Sequence, residues 1–351
     1  MSETIRVGVL GASGYTGADF VRLALPHPGI ELSLLTANTH AGKRYGEVFP
    51  HLAPYDLPML TTIEDADWSG VDAVVCGLPH GTTQDITKRI FDAHPDVAII
   101  DMSADFRLRD VASYAEWYGL DHRAVEIQPQ AVYGLTEHYR DAVREARLVA
   151  CPGCYPTAVL LALIPLAAAG LIDVEDVVID AKSGVSGAGR APKEITLFCE
   201  AGEGLSPYGV ARHRHVAEIE QEIGRAAGRD GLRVNFTPHL IPMSRGELCT
   251  CYVRLAEGRS ADDLRDALAS SYAGEPFVHV AEPGVLPKTQ MVRGSNLCVI
   301  GVFEDRVPGR AIVISTLDNL VKGSAGQAMQ NLNLVSGMPE TMGLGQAPLF
   351  P

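Results

Sequence analysis

At 351 residues the chain is long enough for about two domains, each able to bury its own core. Its composition is that of a globular protein, 46% hydrophobic and 21% charged. A net charge of −14 argues against nucleic-acid or acidic-membrane partners, which require clustered Lys and Arg, and seven scattered cysteines do not make a disulfide framework.

Met1-Ser2-Glu3-Thr4 leads directly into an apolar run without a charged leader or cleavage site. The longest apolar run, Ala158 to Ile172, is too short to span a bilayer and contains Pro165. A cytoplasmic location is the expectation.

Ile5 to Leu10 reads as a short buried strand, followed at once by Gly11-Ala12-Ser13-Gly14-Tyr15-Thr16-Gly17 and an apolar-periodic helix through Leu25. Strand, glycine turn and helix form the context of a dinucleotide fingerprint, here spaced G-x-x-G-x-x-G, with helix N–H groups aimed at phosphates. A glycine-rich turn without ligand is the plainer alternative. The second strand, Ile30 to Leu35, ends in Thr36-Ala37-Asn38-Thr39, where no Asp or Glu stands to hold a ribose. Lys43 and Arg44 follow, and a missing acid beside these bases favours a 2′-phosphate, hence NADP(H). The candidate cofactor residues here are Gly11, Ser13, Gly14, Tyr15, Thr16, Gly17 and Thr36.

Val71 to Cys76 and Val97 to Asp101 are apolar runs of the kind found in a parallel sheet covered on both faces. Each ends in a loop expected at the cofactor crevice, Gly77-Leu78-Pro79-His80-Gly81 and Met102-Ser103-Ala104-Asp105-Phe106-Arg107. His80 reads as a turn histidine. Arg107 suits bidentate phosphate capture, or else is a surface arginine paired with Asp105 or Asp110.

Leu148 to Ala150 reads as the last strand of the first domain and delivers Cys151-Pro152-Gly153-Cys154-Tyr155-Pro156-Thr157. Helix formers run from Thr157 to Leu171, with Pro156 near the first turn, so Cys154 is expected just before a helix N-terminus. There the dipole and free N–H groups favour thiolate, the state of a nucleophile. Cys151 and Cys154 also form a C-x-x-C, readable as a dithiol couple. A zinc reading fails for lack of a second ligand pair, since Cys249 and Cys251 form a C-x-C in a strand.

Val177 to Lys182 reads as a strand leading into the Gly/Ser loop Ser183-Gly184-Val185-Ser186-Gly187-Ala188-Gly189-Arg190, which can lie against a ligand or serve as a linker. Arg212-His213-Arg214-His215 opens an amphipathic helix and supplies candidate bases beside candidate anion-binding arginines, or else a basic surface turn. Beyond it, Arg233–Pro238, Leu248–Leu255, Cys298–Glu304 and Ala311–Leu317 read as strands of a mostly antiparallel sheet, with a helix from Ala261. The segment from Asp318 starts a helix able to dock back on the first domain.

The motifs GASGYTG at 11–17, GLPHG at 77–81, SADFR at 103–107, YGLTE at 133–137, PGCYPTA at 152–158, SGVSGAGR at 183–190, HRHVAEIEQ at 213–221 and DNLVKGSAGQAMQNLN at 318–333 span nearly the whole chain. With them the sequence resembles the N-acetyl-gamma-glutamyl-phosphate reductase family of the aspartate-semialdehyde dehydrogenase superfamily. The resemblance implies a fold of class α/β, with a Rossmann-type NADP-binding domain at 1–152, an α+β substrate and dimerisation domain at 153–325, and a C-terminal helix and tail at 326–351. It implies Cys154 as nucleophile and His215 as acid/base, with His213 less favoured. Arg107, Arg190 and Arg214 become candidate substrate or phosphate contacts, and Ser183, Gly184 and Gly187 candidate cofactor neighbours, with no metal.

The implied reaction is NADPH-dependent reduction of N-acetyl-gamma-glutamyl phosphate through a cysteine thioester, in arginine biosynthesis, by a homodimer or homotetramer. Alternatives are a related acyl phosphate, such as aspartyl phosphate or an aminoadipyl analogue, a cofactor-free cysteine hydrolase, and a non-catalytic NADP sensor. Two positions depart from the family pattern: Cys151 replaces an expected Asn, creating an oxidative liability, and Ala217 replaces an expected Pro, leaving the helix start less fixed.

Overall fold

Two sheets, each of seven strands, carry the chain, and they belong to different compact units. One unit comprises the chain up to Pro152 together with Ser324–Gly345, and the other Gly153–Gly323 with the chain from Gln346 on. The computed structural model describes residues 4–350, so the reading made on Met1-Ser2-Glu3 lies outside the described residues.

In the first unit the elements are β1 (Ile5–Leu10), α1 (Tyr15–Ala24), β2 (Ile30–Thr36), α2 (Tyr45–Val48), β3 (Leu60–Thr61), β4 (Ala73–Cys76), α3 (Gln84–Ala93), β5 (Ala98–Asp101), α4 (Val111–Tyr118), β6 (Ala131–Tyr133), α5 (Thr136–Arg144) and β7 (Leu148–Ala150). All strands pair in parallel, in the order β3-β2-β1-β4-β5-β7-β6. Every residue of β4 is buried, as a parallel strand covered on both faces requires, and Val74, Ile90, Ile99 and Phe106 share one core cluster. The order reverses between β1 and β4, so the loops after these two strands stand together at a topological switch point. Strands β3 and β6 have too few residues to show a period in sequence. Because β6 forms the edge, β7 lies inside the sheet although it comes last in the chain.

The helix Gly326–Val335 completes this unit through buried amides. Asn331 Nδ2 donates to Gly134 O at 2.8 Å, and its Oδ1 accepts from Thr136 Oγ1 at 2.8 Å. Asn333 Oδ1 shares a 3.0 Å hydrogen bond with His27 Nε2. Neither asparagine is exposed, so each amide is matched inside the core, where an unmet one is costly.

The second unit contains α6 (Cys154–Ala168), β8 (Ile172–Gly184), α7 (Phe198–Ala201), β9 (Ser206–Pro207), α8 (His215–Ala227), β10 (Asn235–Ile241), β11 (Glu247–Leu255), α9 (Ala261–Ser271), β12 (Val278–Val280), β13 (Cys298–Glu304) and β14 (Arg310–Leu317). Its sheet runs β12-β13-β14-β11-β8-β10-β9 and is antiparallel except at β12/β13 and β8/β10. Helix α6 is apolar on nearly every side because it is enclosed by α8, α9 and strands β8, β11 and β14. Pro165 inside α6 cannot donate to Leu161 O, and the Tyr272 hydroxyl donates to that carbonyl instead, at 2.5 Å.

Several boundaries differ from the sequence reading: the C-terminal helix begins at Gly326 and not at Asp318, the chain from Gln346 groups with the second unit and not the first, and two further shifts lie at the site. Strand β8 continues through Ser183 and Gly184, placed above in a loop, because Leu240 and Ile241 of β10 pair with them. Helix α6 begins at Cys154 itself, three residues before the expected run, since Pro156 is tolerated in a first turn. Among the described residues no helix is long and apolar enough to cross a membrane.

Candidate active site

In the first unit, the turn between β1 and α1 is shaped as a phosphate cradle. Gly11 has φ +73°, and a β-carbon there would meet Gly77 O at 2.8 Å. Gly14 is the extended N-cap of α1, with no side-chain cap and no acid in the first turn, so the positive helix end is left for an anion. These features fit a dinucleotide pyrophosphate. Ser13 and Thr16 are partly buried and Tyr15 is exposed. Thr36 is wholly buried and supports the turn from beneath, its Oγ1 accepting from Gly11 N at 3.3 Å. Tyr45, absent from the sequence reading, does the same from the other side, donating to Ala12 O at 2.8 Å. Lys43 and Arg44 are exposed just before α2.

Asp105 ties the two loops after β4 and β5 together. Its carboxylate accepts from Gly81 N at 2.6 Å, Thr83 N at 3.0 Å and the Tyr114 hydroxyl at 2.8 Å. Arg107 is buried rather than at the surface, and its Nη2 donates to Met102 O at 2.8 Å. Asp110, considered as its partner, instead caps α4 through Ala112 N and Ser113 N. Asp101, at the end of β5, is wholly buried, and desolvation followed by the nearby Asp105 charge pushes its carboxyl up to about 7.

Cys151 and Cys154 differ in environment although they stand close in sequence. Cys151 is fully buried, and desolvation pushes its thiol up to about 12 despite a 3.6 Å contact from Asn331 Nδ2. Burial of this kind favours the protonated thiol and works against the oxidative liability expected of it. Cys154, only partly buried, is the first residue of α6.

Three groups fix the surroundings of Cys154 within the second unit. Glu218, buried on α8, accepts from Gly153 N at 3.1 Å and so anchors the residue before the cysteine. The His215 ring lies against Gly153: a β-carbon there would come within 2.7 Å of His215 Cε1. Gly323 lets the backbone pass on another side, where a β-carbon would meet Cys154 Cβ at 2.7 Å.

The two histidines occupy different environments. His213 packs among Tyr155, Tyr208 and Phe236 with ring centroids 5.3–5.7 Å away, and desolvation, with Arg214 adding repulsion, lowers it to about 4. It is a neutral imidazole whose Nδ1 accepts from His215 N at 3.3 Å. His215 is partly exposed at the start of α8, its ring 4.7 Å from that of His213.

Ser183 is buried, and its Oγ donates to Gly184 O. Gly184 is enclosed by Met243 O and Arg245, whereas Gly187 is exposed. Arg190 and Arg214 are exposed. Glu218, Glu247 and Tyr208, which the sequence reading did not single out as site residues, join the cysteine only through tertiary packing. Among the described residues no group of three or more His, Cys, Asp or Glu is arranged to hold a metal.

Comparison with known proteins agrees with this fold. A family model described as "Semialdehyde dehydrogenase, NAD binding domain" matches residues 6–146, and one described as "Semialdehyde dehydrogenase, dimerisation domain" matches 154–319. The chain is 54% identical to an N-acetyl-gamma-glutamyl-phosphate reductase of Afipia carboxidovorans, over 99% of both chains. It is 56% identical to the reductase of Rhodospirillum rubrum over the full length of both. It is also 56% identical to a probable chloroplastic reductase of Arabidopsis thaliana, over 99% of this chain and 86% of that one.

Among solved structures, aspartate semialdehyde dehydrogenase II of Vibrio cholerae superposes with a TM-score of 0.71 at 16% identity, covering 95% of this chain and 98% of that one. The Candida albicans enzyme, solved with NADP, gives 0.69 at 18% identity over the same shares and supports the same fold. The chain belongs to the semialdehyde dehydrogenase family, among its N-acetyl-gamma-glutamyl-phosphate reductases.

Proposed function

We propose that this protein catalyses the NADPH-dependent reduction of N-acetyl-gamma-glutamyl phosphate to N-acetylglutamate 5-semialdehyde and phosphate, a step of arginine biosynthesis. The observation that carries this reading is Cys154 at the first position of α6 with the His215 ring packed against the preceding residue, in a chain more than half identical to such reductases. A cysteine there combines a helix N-terminus with an adjacent proton carrier, the two requirements of an activated thiol nucleophile.

The Cys154 thiolate attacks the acyl carbon, the carbon–sulfur bond forms, and the bond to the phosphate oxygen breaks. A thioester remains on Cys154. NADPH, held at the turn Gly11–Gly17, would supply the hydride for this reduction. His215 in its imidazolium form gives a proton to the carbonyl oxygen as charge develops, then takes it back as sulfur leaves and the aldehyde is released. Glu218 keeps Gly153, and with it the cysteine, in place throughout. The turn Gly11–Gly17 holds the pyrophosphate, Lys43 and Arg44 favour the 2′-phosphate, and Arg107, Arg190 and Arg214 are assigned to substrate or phosphate.

The second unit matches a dimerisation domain, and Leu197, Phe198 and Leu205 are exposed there at 51%, 88% and 58%, which supports a homodimer or homotetramer. The deciding assay follows NADPH formation from N-acetylglutamate semialdehyde, NADP and phosphate, with aspartate and aminoadipate semialdehydes in parallel. Activity confined to the acetylated substrate is expected. Faster turnover of either other aldehyde would reassign the substrate, and no NADPH formation with any of them, together with no NADPH binding, would favour a cysteine hydrolase.

A further inference from the structure

Glu247 opens β11 in the interior of the second sheet, paired with Ser183 of β8 on one side and Leu317 of β14 on the other. Its side chain is completely buried. Neither carboxyl oxygen meets an amide, hydroxyl or cationic donor among the described residues. The group that acts on it is the Cys154 thiol at the start of α6: a β-carbon on Gly323 would meet both Cys154 Cβ, at 2.7 Å, and Leu317 Cδ1, at 3.1 Å, and Leu317 is the β14 partner of Glu247. A lone carboxylate in such a place costs several kcal/mol, so it persists only by holding a proton or sharing one.

The other groups around it do not offer a countercharge. Asp318, at the end of β14, carries the same sign, and Arg245 is already paired with Asp318 at 3.4 Å. Cys249, two residues along β11, is wholly buried with its thiol pushed up, and Tyr155 and Tyr208 are likewise pushed up by burial and remain neutral. Burial, opposed by the Cys154 thiol, raises Glu247 itself to about 8. Two acids that interact this closely titrate as a pair.

We infer that Glu247 is a positioning residue that shares one proton with Cys154, taking it from sulfur as the thiolate forms and returning an O–H hydrogen bond to that sulfur. In the step the S–H bond breaks and an O–H bond forms, so thiol plus carboxylate becomes thiolate plus carboxylic acid. The charge of the buried pair stays at −1. When the thiolate is acylated, that charge departs with the leaving group and the pocket is left neutral, which suits an apolar surrounding. The donated hydrogen bond also steadies the sulfur when it is expelled again. This deepens the reading above, since it takes Cys154 as the nucleophile.

The test uses the full-length protein and follows alkylation of Cys154 by iodoacetamide against pH, resolved by peptide mass because Cys199 is also exposed. Wild type should show two steps, and Glu247→Gln and Glu247→Leu one step each. Glu247→Leu should also alkylate about tenfold more slowly at pH 7, the effect of one pKa unit. Both variants should melt at least as high as wild type at pH 8, because a buried unpaired carboxyl has been removed. In wild type, an infrared difference spectrum on alkylation should show a growing protonated-carboxyl band that Glu247→Gln lacks. A wild-type profile in both variants, or no carboxyl change in wild type, overturns the proposal. These readouts need no turnover: two-step alkylation in a protein without reductase activity would sink the substrate reading and leave the proton pair standing.

Discussion

The imidazole of His215 lies directly over the α-carbon of Gly153, where any larger residue would collide with it. Gly153→Ala should therefore push the ring away from Cys154. We expect kcat/KM to fall by roughly 10²-fold, the usual effect of displacing a reacting group by about 1 Å. Stability should fall by about 1–3 kcal/mol from overpacking. Steady-state kinetics with circular dichroism at the same temperature checks both. Wild-type kinetics in a folded variant would remove His215 from the proton-transfer role.

The two cysteines of the C-x-x-C should respond oppositely. Cys154→Ser should abolish turnover, by at least about 10⁴-fold, as loss of a nucleophile does. Cys151→Ser should keep kcat within about threefold, since its thiol is buried and protonated. Loss of activity in both would restore a dithiol mechanism.

His213 makes stability depend on acid. Its folded value of about 4 lies below the 6.5 of an unfolded imidazole, so the unfolded chain binds more protons between those values. Its contribution is complete above about pH 6.5 and is lost as pH falls toward 4, by up to roughly 3 kcal/mol. His213→Phe should flatten that acid limb, measured by urea unfolding at pH 7 and pH 4.5. An unchanged slope would mean that another group governs the limb.

Lys43 and Arg44 stand exposed beyond β2 without an acid in the ribose position. Replacing both by Glu should weaken NADPH binding about 10–100-fold, on the scale of two lost charged contacts to a phosphate, and change NADH binding by less than about twofold. Fluorescence titration of each nucleotide distinguishes this from general damage, which would weaken both alike.

What sequence reasoning could reach here was governed by distance along the chain. The β1 strand, its glycine turn and α1 are contiguous, and the chemistry of each residue points to the same arrangement, so the dinucleotide fold was legible from residues 5–25. The mostly antiparallel second sheet followed from the predominance of strands such as β11 and β14 in that half of the chain. The start of α6 was placed too late because Pro156 reads as a helix boundary when it is in fact the third helical residue. Glu218 and Glu247 gave no local signal at all. Glu218 reaches Gly153 from 65 residues away, and only the packing of α8 on α6 brings it there. Tyr45 was missed, and Asp105 was read only as a partner of Arg107, for the same reason: their partners lie on separate loops.

The amide bonds of Asn331 and Asn333 impose an order on biosynthesis. Gly134, Thr136 and His27 find these partners only after residue 333 has been made, long after the seven strands they serve have emerged. The cofactor-binding unit therefore cannot close its core during translation of the first half of the chain. An amino-terminal fragment ending at Pro152 would carry those groups into its interior unmatched, and supplying the helix Gly326–Val335 as a separate peptide is the way to make such a fragment whole.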